Sequence, residues 1–195
     1  QLRAEGNLYY SIYDDYQSFV FDASLPNLSA TINAGEAEIT GFEWLLQWQF
    51  NDQWSFAFNG HVTESELTSL RPGFFGLQEG DTLNGAEKYG YGVSVDYAFN
   101  WSSSVAGSAY MGYNRQGPST TTFRDVGFAR GDSVDSDATG YLDMRIGAEW
   151  DTFTVSFFGR NLTNEKRPNI LVLASEFNDT QSRPRELGVE LSYRF

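Results

Sequence analysis

The final stretch of the chain, RPRELGVELSYRF at 183–195, alternates between two chemistries. Its odd positions after Arg185 are apolar: Leu187, Val189, Leu191, Tyr193 and Phe195. Its even positions are polar or small: Glu186, Gly188, Glu190, Ser192 and Arg194. A period of two is typical of a β-strand whose faces meet different surroundings. The stretch therefore predicts a strand, and the fold depends on what the two surroundings are.

The same alternation recurs along the chain, in eight segments altogether: 2–13, 42–50, 54–63, 88–99, 103–113, 141–150, 153–162 and 185–195. The contrast is sharpest at 88–99 and weakest at 103–113, where small residues occupy both faces. Strands of about ten to fourteen residues exceed the five or six that are usual in soluble sheets. A tilted strand that crosses a membrane needs roughly that length.

The connections between these segments are of two kinds. Short turns are expected at Asn51-Asp52, Asn100-Trp101 and Asp151-Thr152. They alternate with long polar loops near 22–35, 67–85, 115–138 and 165–183. Short turns on one side and long loops on the other indicate an antiparallel up-and-down meander in an asymmetric setting.

Composition narrows the choice of surroundings. Aromatic residues make up 16% of the chain, which favours strands with an apolar outer surface and bands of aromatic side chains. The formal charge of −13 makes nucleic acid an unsuitable partner. The absence of cysteine excludes disulfides and thiolate sites. No run of 18 apolar residues is present to form a membrane helix, but strands of a membrane barrel are only half apolar and escape that test.

The polar face is rich in glycine, serine, asparagine and charges of both signs, whereas aromatic residues gather at strand ends on the apolar face. Aromatic ends suit the two interfaces of a membrane barrel, so the polar face is expected to line its lumen. The charged or titratable residues predicted there are Arg3, Glu5, Glu43, His61, Lys88, Asp96, Asp143, Arg145, Glu149, Arg160, Glu186, Glu190 and Arg194. Their mixed signs favour ion pairs between strands over contact with a ligand.

No catalytic constellation is found, and we expect neither an enzyme nor a bound cofactor or metal. His61 is the sole histidine and has no partner at catalytic spacing. Asp132, Asp135 and Asp137 lie close together in one loop, but their spacing misses the calcium pattern of an EF-hand. A solvated acidic loop is the better interpretation.

Three stretches carry a resemblance to a known family. They are NAGEAEITGFEWLLQWQFNDQWSFAFNGHVTESEL at 33–67, FFGRNLTNEKR at 157–167, and the terminal strand. Together they resemble the closing part of TonB-dependent outer-membrane receptors. The resemblance implies a barrel of about 22 strands, of which residues 1–195 supply the last eight or so. The plug domain, the short segment that engages TonB and the earlier strands would lie outside this chain.

The resemblance also implies a function and partners. Such receptors lie in the bacterial outer membrane and import a scarce ligand, such as an iron-siderophore complex, cobalamin or an oligosaccharide, with energy coupled through TonB. The lipid bilayer and the barrel-assembly machinery would be further partners, with Tyr193 and Phe195 as the terminal assembly signal. Candidate ligand contacts in the long outer loops are Phe74, Phe75, Phe123, Phe128, Asp132, Asp135 and Phe177.

Two alternatives remain open on the sequence alone. The first is a complete outer-membrane barrel of about eight strands, acting as a passive channel or adhesin. The second is a soluble carbohydrate-binding β-sandwich, in which the apolar face would form a core between two sheets.

Overall fold

The regular structure consists of β-strands. The computed structural model describes residues 1–21, 29–72, 76–122, 133–166, 168–170 and 180–195, and no helix that could cross a membrane occurs within these ranges. The strands are β1 (Leu2–Phe21), β2 (Ser29–Gln49), β3 (Trp54–Leu70), β4 (Tyr89–Ser102), β5 (Val105–Gln116), β6 (Ser119–Thr122), β7 (Ser133–Ser136), β8 (Thr139–Glu149), β9 (Phe153–Arg160), β10 (Pro168–Ile170), β11 (Thr180–Gln181) and β12 (Glu186–Tyr193).

Eight of these strands form one antiparallel sheet in the order β1-β2-β3-β4-β5-β8-β9-β12. The pairs β6–β7 and β10–β11 are separate ribbons in the connections from β5 to β8 and from β9 to β12. The predicted all-β, up-and-down antiparallel architecture is therefore confirmed. Within the described residues β1 and β12 are not paired with each other, so the sheet is an open wall and not the closed eight-stranded barrel of the first alternative.

Several boundaries differ from the sequence prediction. β1 and β2 continue well beyond the predicted segments, with a β-bulge between Tyr13 and Tyr16, so that much of the predicted loop at 22–35 is strand. The predicted turn at Asn100-Trp101 is wrong. β4 extends to Ser102, which pairs with Val105. Trp101 stays in the strand because its ring contacts Phe99 on the apolar face, at 4.9 Å between centroids.

The two faces of the sheet differ as the alternation predicts. The apolar side chains remain open to the surroundings: Leu8 is 77% exposed, Leu187 72% and Leu191 75%. In the described part of the chain no second sheet covers this face. A soluble sandwich would bury such residues between two sheets, so the second alternative is wrong.

An aromatic belt runs along the apolar face at the end of the sheet where the short turns lie. The Trp54 and Tyr97 rings stack at 4.2 Å between centroids, and Trp150 stacks on Phe153 at 4.6 Å. Trp48 contacts Phe50 edge-on at 5.1 Å. Aromatic rings prefer the boundary between hydrocarbon and water, so this belt defines one edge of the apolar band.

A small apolar cluster lies at the opposite end, on the polar face. It consists of Ala37, Leu67, Leu77 and Leu83, all buried, and we call it the loop-end cluster. Ala37 and Leu67 are register partners in β2 and β3, whereas Leu77 and Leu83 come from the β3–β4 connection. The Leu67 amide donates to the Asp81 carbonyl (2.9 Å), and the Gly80 amide donates to the Leu67 carbonyl (2.8 Å). The connection is thus folded against the polar face of the sheet.

Replacing Leu67 tests whether this cluster holds the connection in place. In the full-length protein, Leu67→Ala should weaken local protection by about 2 to 5 kcal/mol, because it leaves a cavity in a fully buried contact. Hydrogen exchange of the Leu67 and Gly80 amides measures the effect. Leu187→Ala, on the open apolar face, serves as the control and should leave both amides unchanged. Equal exchange in Leu67→Ala and native protein would show that the cluster does not anchor the connection.

Candidate functional site: the polar face of the sheet

The pairing register places most of the predicted charged residues on one face of the sheet. Those within the paired strands are Arg3, Glu5, Glu43, His61, Asp96, Asp143, Arg145, Glu149, Arg160, Glu186 and Glu190. Lys88 lies just before β4, where its carbonyl accepts from the Thr63 amide, and Arg194 follows β12 with its amide bound to the Thr152 carbonyl. Strands from both halves of the chain therefore contribute to one polar surface. That this surface lines a lumen stays a prediction.

Ion pairs join neighbouring strands across the polar face. Arg145 Nη2 lies 3.0 Å from Glu190 Oε1 and also donates to Ser156 Oγ at 3.1 Å, so it spans from β8 across β9 to β12. Arg160 and Glu186 form a second pair at 3.4 Å. All four charged side chains are about half exposed, and such pairs contribute at most about 1 kcal/mol each. Their effect is to align neighbouring strands.

Asp96, by contrast, makes no hydrogen bond or ion pair with any described residue. It lies opposite Ser55 on β3 and Tyr110 on β5. Tyr110 inclines over Gly112, which is the register partner of Asp143. The tyrosine thus lies between two carboxylates in a shallow depression of the wall. Tyr110 was not among the residues predicted for the polar face. The alternation in the β5 segment is weak, so the face on which Tyr110 lies becomes clear only from the strand pairing.

Two glycines allow bulky side chains to lie flat on this surface. The His61 ring covers Gly90 on the next strand, and the Tyr110 ring covers Gly112 on its own strand. A methyl group at either glycine would collide with the ring above it. Rings that cover a strand glycine recover contact area that the glycine itself cannot provide. These two rings therefore project little from the polar face and leave space in front of it.

The turn after β9 is built around the buried side chain of Asn161. Its Nδ2 donates to the carbonyls of Glu165 and Arg183, both at 2.9 Å. Its Oδ1 accepts from the Glu165 amide at 2.9 Å and from Thr163 Oγ1 at 3.2 Å. The backbone amide of Asn161 donates to Asp143 Oδ1 at 2.8 Å. One side chain thereby joins the turn to the segment that leads into β12, and its amide joins the turn to β8.

The backbone of this turn explains the residue type. Asn161 has φ 47° and Asn164 has φ 53°, a left-handed conformation that asparagine tolerates better than most residues. The Asn164 side chain accepts from the Arg185 amide at 3.2 Å. The sequence contains the signal, an Asn-x-Thr-Asn cluster directly after a strand, which is typical of turns with side-chain to backbone bonds. Sequence analysis noted the motif only for its family resemblance.

Few of the predicted ligand contacts fall in the described ranges. Phe74, Phe75, Phe123, Phe128, Asp132 and Phe177 lie outside the described residues. Asp135 is in β7 and accepts a hydrogen bond from Thr120 Oγ1 at 2.8 Å, which stabilises the β6–β7 ribbon. Its assignment as a ligand contact is untested. Within the described residues, no three His, Cys, Asp or Glu side chains converge as a metal site would require.

The outer connections are fastened to one another. Asn84 Nδ2 donates to the Thr122 carbonyl at 3.0 Å, and Asn84 Oδ1 accepts from the Thr122 amide at 2.8 Å. The Gly85 amide donates to the Thr120 carbonyl at 3.0 Å. The β3–β4 connection therefore joins the loop-end cluster to the β6–β7 ribbon. The sequence predicted only a long polar loop at 67–85, and these contacts were not anticipated.

Comparison with known proteins agrees with this geometry. The family model described as "TonB dependent receptor-like, beta-barrel" matches residues 1–162, and the chain belongs to this family. The family's receptors are proteins of the Gram-negative outer membrane, and the chain is a segment of an outer-membrane β-barrel.

Individual relatives are longer than this chain. A pesticin receptor from Yersinia enterocolitica is 33% identical over 88 residues, which cover 45% of this chain and 12% of that receptor. The ferric yersiniabactin uptake receptor FyuA from Yersinia pestis has the same fold with a TM-score of 0.74 at 21% identity, over 97% of this chain and 27% of that one. The ferripyoverdine receptor of Pseudomonas aeruginosa gives 0.70 at 11% identity, over 98% and 25%. The chain thus spans about a quarter of the solved receptors.

Asn161 offers a direct test of the turn. Asn161→Gly keeps the left-handed backbone accessible but removes four side-chain hydrogen bonds, so the receptor should lose about 1 to 3 kcal/mol of stability. The temperature at which folded receptor converts to the unfolded band on a detergent gel measures the loss. Asn164→Gly, which removes one exposed side-chain bond, is the matched control and should shift that temperature much less. Equal temperature shifts in the two variants would show that the Asn161 side chain contributes no more to the stability of the turn than the Asn164 side chain does.

Proposed function

We propose that this chain is the C-terminal part of the barrel of an outer-membrane receptor that imports a scarce extracellular ligand with energy coupled through TonB. The family match over residues 1–162 is the observation that carries the proposal. On this account the missing part of the receptor supplies the other strands, the plug and the segment that engages TonB. Barrel-assembly machinery would recognise the terminal strand, where Tyr193 and Phe195 are 66% and 106% exposed on the apolar face.

An iron-siderophore complex is the ligand class that we favour. The neighbours are named as receptors for ferric yersiniabactin and ferripyoverdine, and their fold covers nearly the whole of this chain. Cobalamin and oligosaccharides remain the other members of the proposed class. The polar face supports import because Arg145 and Arg160 pair with glutamates of the same sheet and the His61 and Tyr110 rings lie over strand glycines, which leaves space for a plug and a passing solute. The lumen-lining assignment of its charged residues belongs to this proposal.

The outer connections would contribute to ligand capture. They are held in place by the loop-end cluster and by the paired contacts of Asn84 with Thr122. A rigid scaffold that presents irregular loops is the usual arrangement for recognition. Phe74, Phe75, Phe123, Phe128, Asp132, Asp135 and Phe177 are the proposed contacts from this chain.

Uptake of radioactive iron tests the proposal. Cells that depend on the full-length receptor should accumulate ⁵⁵Fe presented as a ferric siderophore, and a strain without TonB should bind the complex but accumulate none of it. A panel of catecholate, hydroxamate and phenolate siderophores identifies the ligand class. Accumulation that continues without TonB would indicate a passive channel, and absence of binding across the panel would direct the search to cobalamin and oligosaccharides.

A further inference from the structure

One arginine lies on the apolar face of the sheet. The outward positions of the eight paired strands carry several carboxylates towards the loop end, Glu38, Glu64 and Glu66 among them, but a single basic residue, Arg115. Arg115 is opposite Tyr91 on β4 and Gly140 on β8, in a regular part of the ladder. Its side of the strand is therefore fixed by pairing on both flanks. An ionisable residue on a lipid-facing surface calls for a partner.

The height of Arg115 places it at the edge of the hydrocarbon. Val105, at the start of β5, adjoins the aromatic belt, since it pairs with Ser102 beside Trp101. Ten residues of tilted strand between Val105 and Arg115 correspond to a rise of about 25 Å, which is the height of the apolar band of such barrels. Arg115 is accordingly level with the headgroups of the outer leaflet.

Tyrosines surround this guanidinium. The hydroxyls of Tyr113 and Tyr89 lie near it on the same face. The Tyr113 ring inclines over Gly140 towards Arg115, and the Tyr91 ring is 6.4 Å from the Tyr113 ring. Arg115 makes no ion pair with a described carboxylate. These neighbours are neutral hydroxyls, so the positive charge of Arg115 remains uncompensated.

We infer that Arg115, with Tyr89, Tyr91 and Tyr113, binds the phosphate of an outer-leaflet lipid headgroup. A phosphate oxygen accepts from the guanidinium donors, and each neighbouring tyrosine hydroxyl can donate its proton to another oxygen. The tyrosine rings pack beside the upper part of the lipid chains, as aromatic residues do at membrane boundaries. The site is independent of the ligand that the receptor imports.

Charge distribution favours a lipid phosphate over a free one. The chain carries a net charge of −13, and Glu64 and Glu66 lie on the same face beyond Arg115 on the way to solution. A dissolved anion is repelled by this surface. A phosphate that is held in the membrane plane by its own acyl chains has a high local concentration beside Arg115, which offsets that repulsion.

Native mass spectrometry of the full-length receptor tests the inference, with diphosphoryl lipid A as the probe. Native receptor should retain it, and Arg115→Gln should retain about fivefold less, as expected for loss of one basic residue near a charged lipid surface. Arg3→Gln removes the same charge from the opposite, polar face, and its retention should equal that of native receptor. Folding of each variant is checked by the mobility shift on a detergent gel.

Two further arms do not depend on any variant. Native receptor should bind lipid A without phosphates about fivefold less than the diphosphoryl form. Millimolar inorganic phosphate should not displace the bound lipid. Equal retention of the two lipids, equal retention by native and Arg115→Gln receptor, or displacement by inorganic phosphate would each overturn the inference.

Discussion

The structure depends on one constraint: backbone polar groups that face hydrocarbon must be satisfied within the protein. Eight strands meet this constraint by continuous antiparallel pairing, from β1 at one edge to β12 at the other. Once the pairing register is fixed, it determines on which face of the sheet each side chain lies. The apolar set is then left open to the surroundings, as the exposure of Leu8 and Leu191 shows, and the polar set lies on the other side.

The same constraint explains where the specific contacts gather. Along the middle of the sheet, weak ion pairs and flat rings over glycine are sufficient, because pairing already holds the wall together. Where pairing stops, other contacts take its place. Asn161 binds the chain that leaves β9 to the chain that enters β12. The loop-end cluster does the same for the β3–β4 connection.

The sequence alone was sufficient for the fold and for the polar face, because strand periodicity is local information. The positions of Glu43, Asp96 and Arg145 on one face follow from it directly. The extension of β1 and β2, the loop-end cluster and the place of Tyr110 were not predictable in this way. They depend on which strands are adjacent and on contacts between connections that are distant in sequence, such as that of Asn84 with Thr122. Strand periodicity carries no information about either.

Accessibility along β4 tests the central claim, that this sheet separates lipid from a polar interior. The chain contains no cysteine, so single cysteines at each position from 89 to 99 of the full-length receptor, in a background without other cysteines, can carry a spin label. In membranes, labels at odd positions should collide with dissolved oxygen, and labels at even positions should be screened from it. A period of two with those phases is the expected result. Uniform exposure to a water-soluble relaxant on both faces, or the opposite phase, would contradict the account.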